Sequence, residues 1–352
     1  MGCSMKTECE KRKWVYCISA LVVLLYSSAH AVELSRTVNY VYSLSPGDQI
    51  TLLTGKGEVF VRGWDGPDLN VRVTKKVWAE TKERADELIE RFDVDIKESS
   101  HSILIHERHS SVKSRFRISD LFHEDFWESW GWQNGSVDYE LLIPAHMKLR
   151  ILNKEGDITV QDSKGEGKWI LDANEGDIEC SRIRFSILQA RAKEGNVRLS
   201  DLVSSGTGTM RVRADEGNIV VNDCHSTKMD LRSAEGNIVI KDSRSMQFEL
   251  FTEEGDINVR FAPIHQGQYL LGSEEGSIYI VIPESADMAV QLMTKEGYVR
   301  SDFELVDKMN KNGKKVSSTI GESDAFLKAS TIEGDIGIRK WEKNTDFPSE
   351  HL

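Results

Sequence analysis

Nine of the ten Glu-Gly pairs place carboxylates at nearly regular intervals along this 352-residue chain, as in DEGNIVVNDC, AEGNIVIKDS and EEGDINVRFA. Oxygen ligands stacked along one edge could bind a cation such as Ca²⁺, which takes about six to eight convergent oxygens. However, the doubly glycine-bearing nonapeptide of calcium β-rolls is absent, and Lys154, Lys193 and Lys295 directly precede three of the glutamates. The pattern favours a structural turn over a cation site, and we predict no metal and no cofactor.

Residues 109–136 hold a second chemically distinctive group, an aromatic insertion that reads RFRISDLFHEDFWESWGWQNG over most of its length. One interpretation is a hairpin or short helix whose aromatic rings fold back onto the rest of the protein. The other is an exposed aromatic loop for a sugar face, a lipid interface or a protein partner. The candidate partner contacts are Phe122, Phe126, Trp127, Trp130 and Trp132.

Catalysis has little support in the sequence, and we predict a non-enzymatic protein with no catalytic residues. His101, His106 and His109 lie close together, but they follow an alternating pattern that predicts a strand running into a loop. No nucleophile elbow, P-loop or HExxH motif is present. The formal net charge of −12 and the lack of a visible basic cluster argue against a nucleic-acid partner.

The N-terminus has the pattern of an export signal. Lys11, Arg12 and Lys13 precede an apolar run, WVYCISALVVLLY, and Ala29 and Ala31 follow in A-x-A spacing. The run is short for a span of the ~30 Å hydrocarbon core, so residues 1–31 predict a signal peptide cleaved after Ala31. An uncleaved anchor is the alternative. We expect the mature chain to be exported to the periplasm or cell surface, without a transmembrane span.

Cys180 and Cys224 are the two cysteines beyond the predicted leader. In the repeat alignment they lie two repeats apart, which separates them by ~9.6 Å if neighbouring strands are ~4.8 Å apart. That distance exceeds what a disulfide tolerates, and we predict no bond between them.

The glycines of these nine Glu-Gly pairs recur at spacings of 20, 19, 22, 19, 19, 21, 21 and 37 residues, the last interpreted as two periods with an insertion. Apolar residues alternate after each glycine, as in Ile238 and Ile240, and before each glutamate, where large, medium and small side chains follow in order. A period of two predicts strands with one buried face. The predicted turn glycines are Gly156, Gly176, Gly195, Gly217, Gly236, Gly255, Gly276, Gly297 and Gly334.

One such unit cannot bury its apolar face alone, whereas stacked units can. We therefore predict an all-β fold, a single-chain β-solenoid of ~20-residue repeats with parallel strands between coils. The repeats span 151–341, followed by a polar tail, 342–352. Residues 32–150 form an N-terminal β region that begins with a similar unit at Gly57-Glu58-Val59. Within it, residues 79–93 predict one amphipathic helix that caps the solenoid.

Several motifs give the sequence a resemblance to a known family. The early Gly-x-Gly-Glu-Val unit and Leu141–Pro144 lead into the repeats, and the chain ends with YIVIPESADMAVQLMTKEGYVRSDF and TIGESDAFLKASTIEGDIGIRK. Over about residues 35–341 this resembles the DUF4097 family of bacterial proteins, often labelled adhesins. The resemblance implies an envelope β-solenoid and supplies no catalytic motif. The aromatic insertion and the consistent glutamate before glycine depart from the family pattern.

Three hypotheses of function follow. The first is a non-catalytic, exported, adhesin-like or envelope-scaffold protein that binds an envelope protein or glycan. The second is a polysaccharide-binding or polysaccharide-cleaving β-helix protein. The third is a scaffold that self-associates through its solenoid ends.

Overall fold

A computed structural model describes residues 31–108, 134–305, 315–321 and 324–341 of the chain. Two sheets of 13 strands each make up most of these residues. The strands of sheet A are β1 (Val32–Ser43), β3 (Val59–Gly63), β4 (Asp68–Ala79), β7 (Gly135–Ile143), β9 (Ile158–Gln161), β11 (Ile178–Ser181), β13 (Val197–Ser200), β15 (Ile219–Asn222), β17 (Ile238–Lys241), β19 (Ile257–Arg260), β21 (Ile278–Pro283), β23 (Val299–Ser301) and β26 (Ile336–Trp341). The strands of sheet B are β2 (Gln49–Lys56), β5 (Asp93–Ser99), β6 (Ser102–Arg108), β8 (Lys148–Glu155), β10 (Gly167–Glu175), β12 (Arg184–Glu194), β14 (Val203–Glu216), β16 (His225–Glu235), β18 (Arg244–Glu254), β20 (Gln268–Glu275), β22 (Met288–Glu296), β24 (Lys315–Ile320) and β25 (Phe326–Glu333).

Each coil consists of one strand of sheet B, a sharp corner and the next strand of sheet A. From β8 to β21 the chain alternates between the sheets, and each strand pairs in parallel with the strand one coil away. The predicted all-β solenoid with parallel strands between coils is confirmed.

The core lies between the sheets and consists of columns that repeat from coil to coil. In sheet B the register aligns Trp169, Leu188 and Met210 in one column and Leu171, Ala190 and Val212 in the next, and all six are buried. Sheet A faces them with a column of Ile or Val, such as Ile219 and Ile238. The alternation read from the sequence therefore describes one cross-section repeated along the stack.

The N-terminal end carries the one helix of the described residues, α1 (Lys82–Arg91). Thr81 caps it by accepting a hydrogen bond from the backbone N–H of Arg84. The helix buries Ala85 and Ile89 and packs against β1 and β4, which extend sheet A as antiparallel strands beyond β7. No helix in the described part of the chain has the length and apolarity needed to cross a membrane.

The coils at both ends are stacked out of sequence order. At the N-terminal end, β6 and β7 lie outside β2 and β3, although they come later in the chain. At the C-terminal end, β25 and β26 lie between the coil of β20 and β21 and the coil of β22 and β23. The segment between Gly297 and Gly334, 37 residues apart, thus does not contain two successive coils. It holds β24, which pairs antiparallel with β22 and forms the edge of sheet B, before the chain returns as β25 and β26 to fill the gap.

Candidate functional site

The glutamates of the nine Glu-Gly pairs lie on one edge of the solenoid in exact register, for example Glu216 beside Glu235 and Glu235 beside Glu254. Lys56 begins the column and forms an ion pair with Glu155, Nζ to Oε2 3.0 Å. Among the described residues, no group of three or more His, Cys, Asp or Glu side chains is arranged to hold a metal ion.

The Asp and Asn residues that follow the corner glycines form a hydrogen-bonded ladder. The side-chain oxygen at this position accepts a hydrogen bond from the backbone N–H at the same position one coil further on. Asp177 accepts from Asn196 at 2.7 Å, and Asn237 accepts from Asp256 at 2.7 Å. The ladder gives these oxygens a structural partner and fixes the register of the corners.

The corner glycines are required for two reasons. At Gly236 φ is +145°, in a region that L side chains rarely adopt. A Cβ added there would lie 2.2 Å from the carbonyl oxygen of Gly217 in the adjacent coil. The other eight predicted turn glycines have φ between +120° and +150° and meet a backbone carbonyl of the adjacent coil in the same way.

The outer side of sheet B is different in character. We call the three central outward rows of β8, β10, β12, β14 and β16 the basic face. These rows contain two acidic residues, Asp172 and Asp230. Their basic residues are Lys148, Arg150, Lys168, Arg191, Arg211, Arg213, Lys228 and Arg232. The chain therefore concentrates positive charge on one surface although its net charge is −12.

Arg191, Arg213 and Arg232 stand side by side on three successive coils, and we call them the arginine row. Arg232 Nε lies 3.0 Å from Asp230, whose side chain is 7% exposed. Asp230 also receives Arg211 Nε at 3.4 Å. Arg191 pairs with Asp215 at 2.7 Å, whereas Arg213 has no ion-pair partner within the described ranges.

The arginine row continues into a groove of about 300 Å³ on the same face. In register beyond Arg232 come Phe251, Gly272 and Ser330. The Phe251 ring lies against Gly272, where an added Cβ would be 3.1 Å from the ring. Leu270, 41% exposed, lines the second side of this Phe251 groove with Glu249 and Lys328. The groove follows the solenoid axis, because its lining residues come from successive coils.

A second groove of about 340 Å³ lies at the N-terminal end of sheet A, beside Trp64 and Val41. Its cation, Arg72, is paired with Glu140 at 2.8 Å and contacts Asn39 at 3.3 Å. The lining of this groove has one cation and one carboxylate, whereas the basic face has eight cations and two carboxylates, so the basic face offers the stronger site for an anionic partner.

Phe122, Phe126, Trp127, Trp130 and Trp132 lie outside the described residues. The described chain runs to Arg108 before the insertion and resumes at Asn134. At one end, buried Glu107 accepts hydrogen bonds from Thr54 Oγ1 at 2.7 Å and the Gly55 N–H at 3.1 Å. At the other end, the Asn134 carbonyl accepts from the Trp78 N–H at 2.9 Å.

The basic face was missed in the sequence because its residues come from five strands and alternate with buried apolar residues. No run of basic letters marks it. The visible signal is the vertical alignment of LQARAKEG, MRVRADEG and MDLRSAEG, which puts Arg191, Arg213 and Arg232 in one column.

The fold defines the chain as a β-solenoid built from Glu-Gly-Asp/Asn coils. The chain belongs to the Toastrack DUF4097 family, whose model matches residues 133–339. The predicted family resemblance is confirmed. No curated protein matches the sequence.

Several solved structures are similar over most of their length. A candidate adhesin from Parabacteroides distasonis is 12% identical, with 87% of this chain and 97% of that chain covered and a TM-score of 0.40. A candidate lipid binding protein from the same organism is 10% identical, with the same coverage and TM-score. A candidate adhesin from Bacteroides fragilis is 10% identical, covering 86% of this chain and 97% of that chain, with a TM-score of 0.37. Identities and TM-scores this low transfer no function to this chain.

Proposed function

We propose that this protein is a non-catalytic, exported, adhesin-like protein that binds an extended partner of the cell envelope along the outer side of sheet B. The observation that carries the proposal is the Phe251 groove. It combines an aromatic ring, the exposed apolar side chain of Leu270 and two cations, Arg232 and Lys328, on an open sheet face. A shallow apolar depression with a few convergent polar groups is typical of a recognition site.

The groove favours binding over cleavage. Among the described residues, Glu249 is the one carboxylate that lines it, and glycosidic hydrolysis by acid and base needs two. Glu249 is also engaged already, since Lys228 Nζ lies 2.6 Å from its Oε1 and Gln247 donates to the same oxygen at 2.6 Å. Export rests on the signal-like pattern of residues 1–31.

The aromatic insertion is a second proposed contact with the envelope partner, through Phe122, Phe126, Trp127, Trp130 and Trp132. Glu107 and Asn134, described on either side of it, are hydrogen-bonded to neighbouring strands at the N-terminal end of the stack.

The test is co-sedimentation of the purified protein with bacterial envelope fractions. Phe251→Ala should lower the bound fraction severalfold. Tyr279→Ala is the matched control, because Tyr279 lies against Gly337 on the outer side of sheet A in the same way as Phe251 lies against Gly272. Equal binding by both variants and the unchanged protein would contradict the role of the groove.

Deletion of Phe122–Trp132 tests the insertion in the same assay. We expect weaker sedimentation with an unchanged circular dichroism spectrum and unfolding midpoint. Unchanged sedimentation of this deletion would rule out the insertion as a contact.

A further inference from the structure

We infer that the arginine row and the Phe251 groove form one site for a linear anionic polysaccharide. Carboxylate or sulfate groups of successive sugars contact Arg191, Arg213 and Arg232, and one sugar ring packs on Phe251. The inference rests on the proposed binding function and names its ligand class.

The charge distribution is the first argument. Eight Lys and Arg side chains against two Asp side chains form the basic face of a chain whose net charge is −12. The fold of a solenoid does not require basic side chains to be clustered on one face, because outward side chains are solvated. A local positive surface attracts a polyanion and raises its association rate, even when the whole protein is acidic.

Spacing is the second argument. Register places Arg191, Arg213 and Arg232 on adjacent coils, which are ~4.8 Å apart. Adjacent guanidinium groups repel one another, and Arg213 between them has no ion-pair partner in the described part of the chain. A polymer with anionic groups at regular intervals relieves this repulsion. The planar guanidinium matches carboxylate and sulfate oxygens with two parallel hydrogen bonds.

Preorganisation is the third argument. Asp230 holds Arg211 and Arg232 from a position in which its own side chain is 7% exposed. Asp215 holds Arg191 at 2.7 Å. Arginine side chains fixed before binding lose less conformational freedom when a ligand arrives, which strengthens the complex.

The shape of the site selects a single polymer chain. Arg191, Phe251 and Gly272 occupy one row parallel to the solenoid axis, and the row covers about 19 Å from β12 to β20 at the usual strand spacing. The adjacent row, which borders the groove, consists of Glu249, Leu270 and Lys328. The two rows are about 7 Å apart, because they are separated by two residues along each strand. That width fits one sugar chain lying along the Phe251 ring, which contacts the floor of the groove at Gly272. A duplex nucleic acid or a flat membrane would leave this floor unfilled.

The experiment measures binding of the full-length protein by titration calorimetry. The probes are heparin as a sulfated polymer, polygalacturonate as a carboxylated polymer and neutral dextran. We expect binding to at least one acidic polymer and none to dextran. Binding should weaken when salt rises from about 50 to about 200 mM, because charge contacts are screened.

The variant Arg191→Gln, Arg213→Gln, Arg232→Gln should weaken this binding by at least about tenfold, since three charge-assisted contacts are lost. Its control, Arg198→Gln, Arg300→Gln, Arg339→Gln, removes the same charge from sheet A and should bind as the unchanged protein does. If the triple variant fails to fold, Arg213→Gln alone serves, because Arg213 supports no ion pair among the described residues. We expect it to weaken binding severalfold.

Three results would overturn the inference. The first is equal weakening by the sheet A control. The second is tighter binding of duplex DNA or anionic lipid vesicles than of either acidic polymer. The third is no binding to heparin or polygalacturonate while Phe251→Ala still reduces envelope co-sedimentation. This last result would leave the proposed function intact and reject only the ligand class.

Discussion

The side-chain oxygen of Asn218 lies 2.9 Å from the backbone nitrogen of Asn237, one coil further along the solenoid, and accepts its hydrogen bond. Equivalent bonds run through the stack from Glu58 and Asp138 at one end to Tyr298 and Asp335 at the other. The corner position is therefore tied from coil to coil by side chains as well as by the sheet hydrogen bonds.

Asn218→Ala removes this acceptor and should lower the free energy of unfolding by about 1 kcal/mol, the usual cost of one lost hydrogen bond. Asn218→Asp keeps the oxygen and should cost less, since Asp occupies the same position in other coils. Urea unfolding followed by circular dichroism measures both. Equal midpoints for Asn218→Ala and the unchanged protein would mean that the ladder does not stabilise the fold.

Gly236→Ala should destabilise the protein by about 3 kcal/mol. The methyl group would occupy a strained backbone region and meet the Gly217 carbonyl oxygen at 2.2 Å. Gly206→Ala is the control, because Gly206 has φ of +54° and no atom within 4 Å of an added Cβ. It should cost about 1 kcal/mol, the price of left-handed backbone alone. Similar urea midpoints for the two variants would contradict the contact between stacked glycines.

Asp162, which lies between β9 and β10, should make the stability of the fold depend on pH. Arg182 Nε donates to its carboxylate at 2.7 Å and Arg62 Nε lies 3.3 Å away. The hydrogen bond from Arg182 is the main cause that holds the pKa of Asp162 below its usual value. A lowered pKa in the folded state stabilises the fold above the unfolded pKa of about 4. That stabilisation is lost as the pH falls through the folded pKa.

Asp162→Asn is the corresponding test. Asn tolerates the φ of +59° at this position, so the substitution changes the charge and little of the backbone. We expect a lower urea midpoint than that of the unchanged protein at about pH 7, and a difference that shrinks below about pH 4. A difference that stays constant over this range would show that the carboxylate charge is not its cause.

Cys180 and Cys224 should be unreactive in the folded protein. Both thiols are free and buried, and burial raises the pKa of Cys224 to about 12 and that of Cys180 in the same direction. At about pH 8 neither side chain carries the thiolate that reacts with iodoacetamide. Peptide mapping by mass spectrometry should find both unmodified in the native protein and both modified in denaturant. Modification of either in the native protein would contradict the burial.

Much of the fold could be predicted because each coil repeats one pattern. The columns through Trp169 and Leu171 and the corners at Gly156 and Gly176 are visible as alternation and spacing. The predicted helix, 79–93, is present and shorter, Lys82–Arg91. It begins after the Thr81 cap and ends before Phe92, whose backbone is extended.

The order of the end coils could not be predicted. The coil that contains Glu296 and the coil that contains Glu333 have the same pattern, so nothing in their residues states which lies outside. The basic face could not be predicted either. Charge on outward positions is unconstrained by core packing, and only the register of β12, β14 and β16 brings Arg191, Arg213 and Arg232 together.

The out-of-order coils also limit how such a protein can change in length. A unit copied in tandem adds a coil only where neighbours in sequence are neighbours in space, and that condition holds from β8 to β21. Beyond β21, a copied unit would have to enter a gap that β25 and β26 already fill. A lineage of these proteins would therefore lengthen or shorten by gain and loss of interior coils, with the out-of-order coils at both ends inherited unchanged.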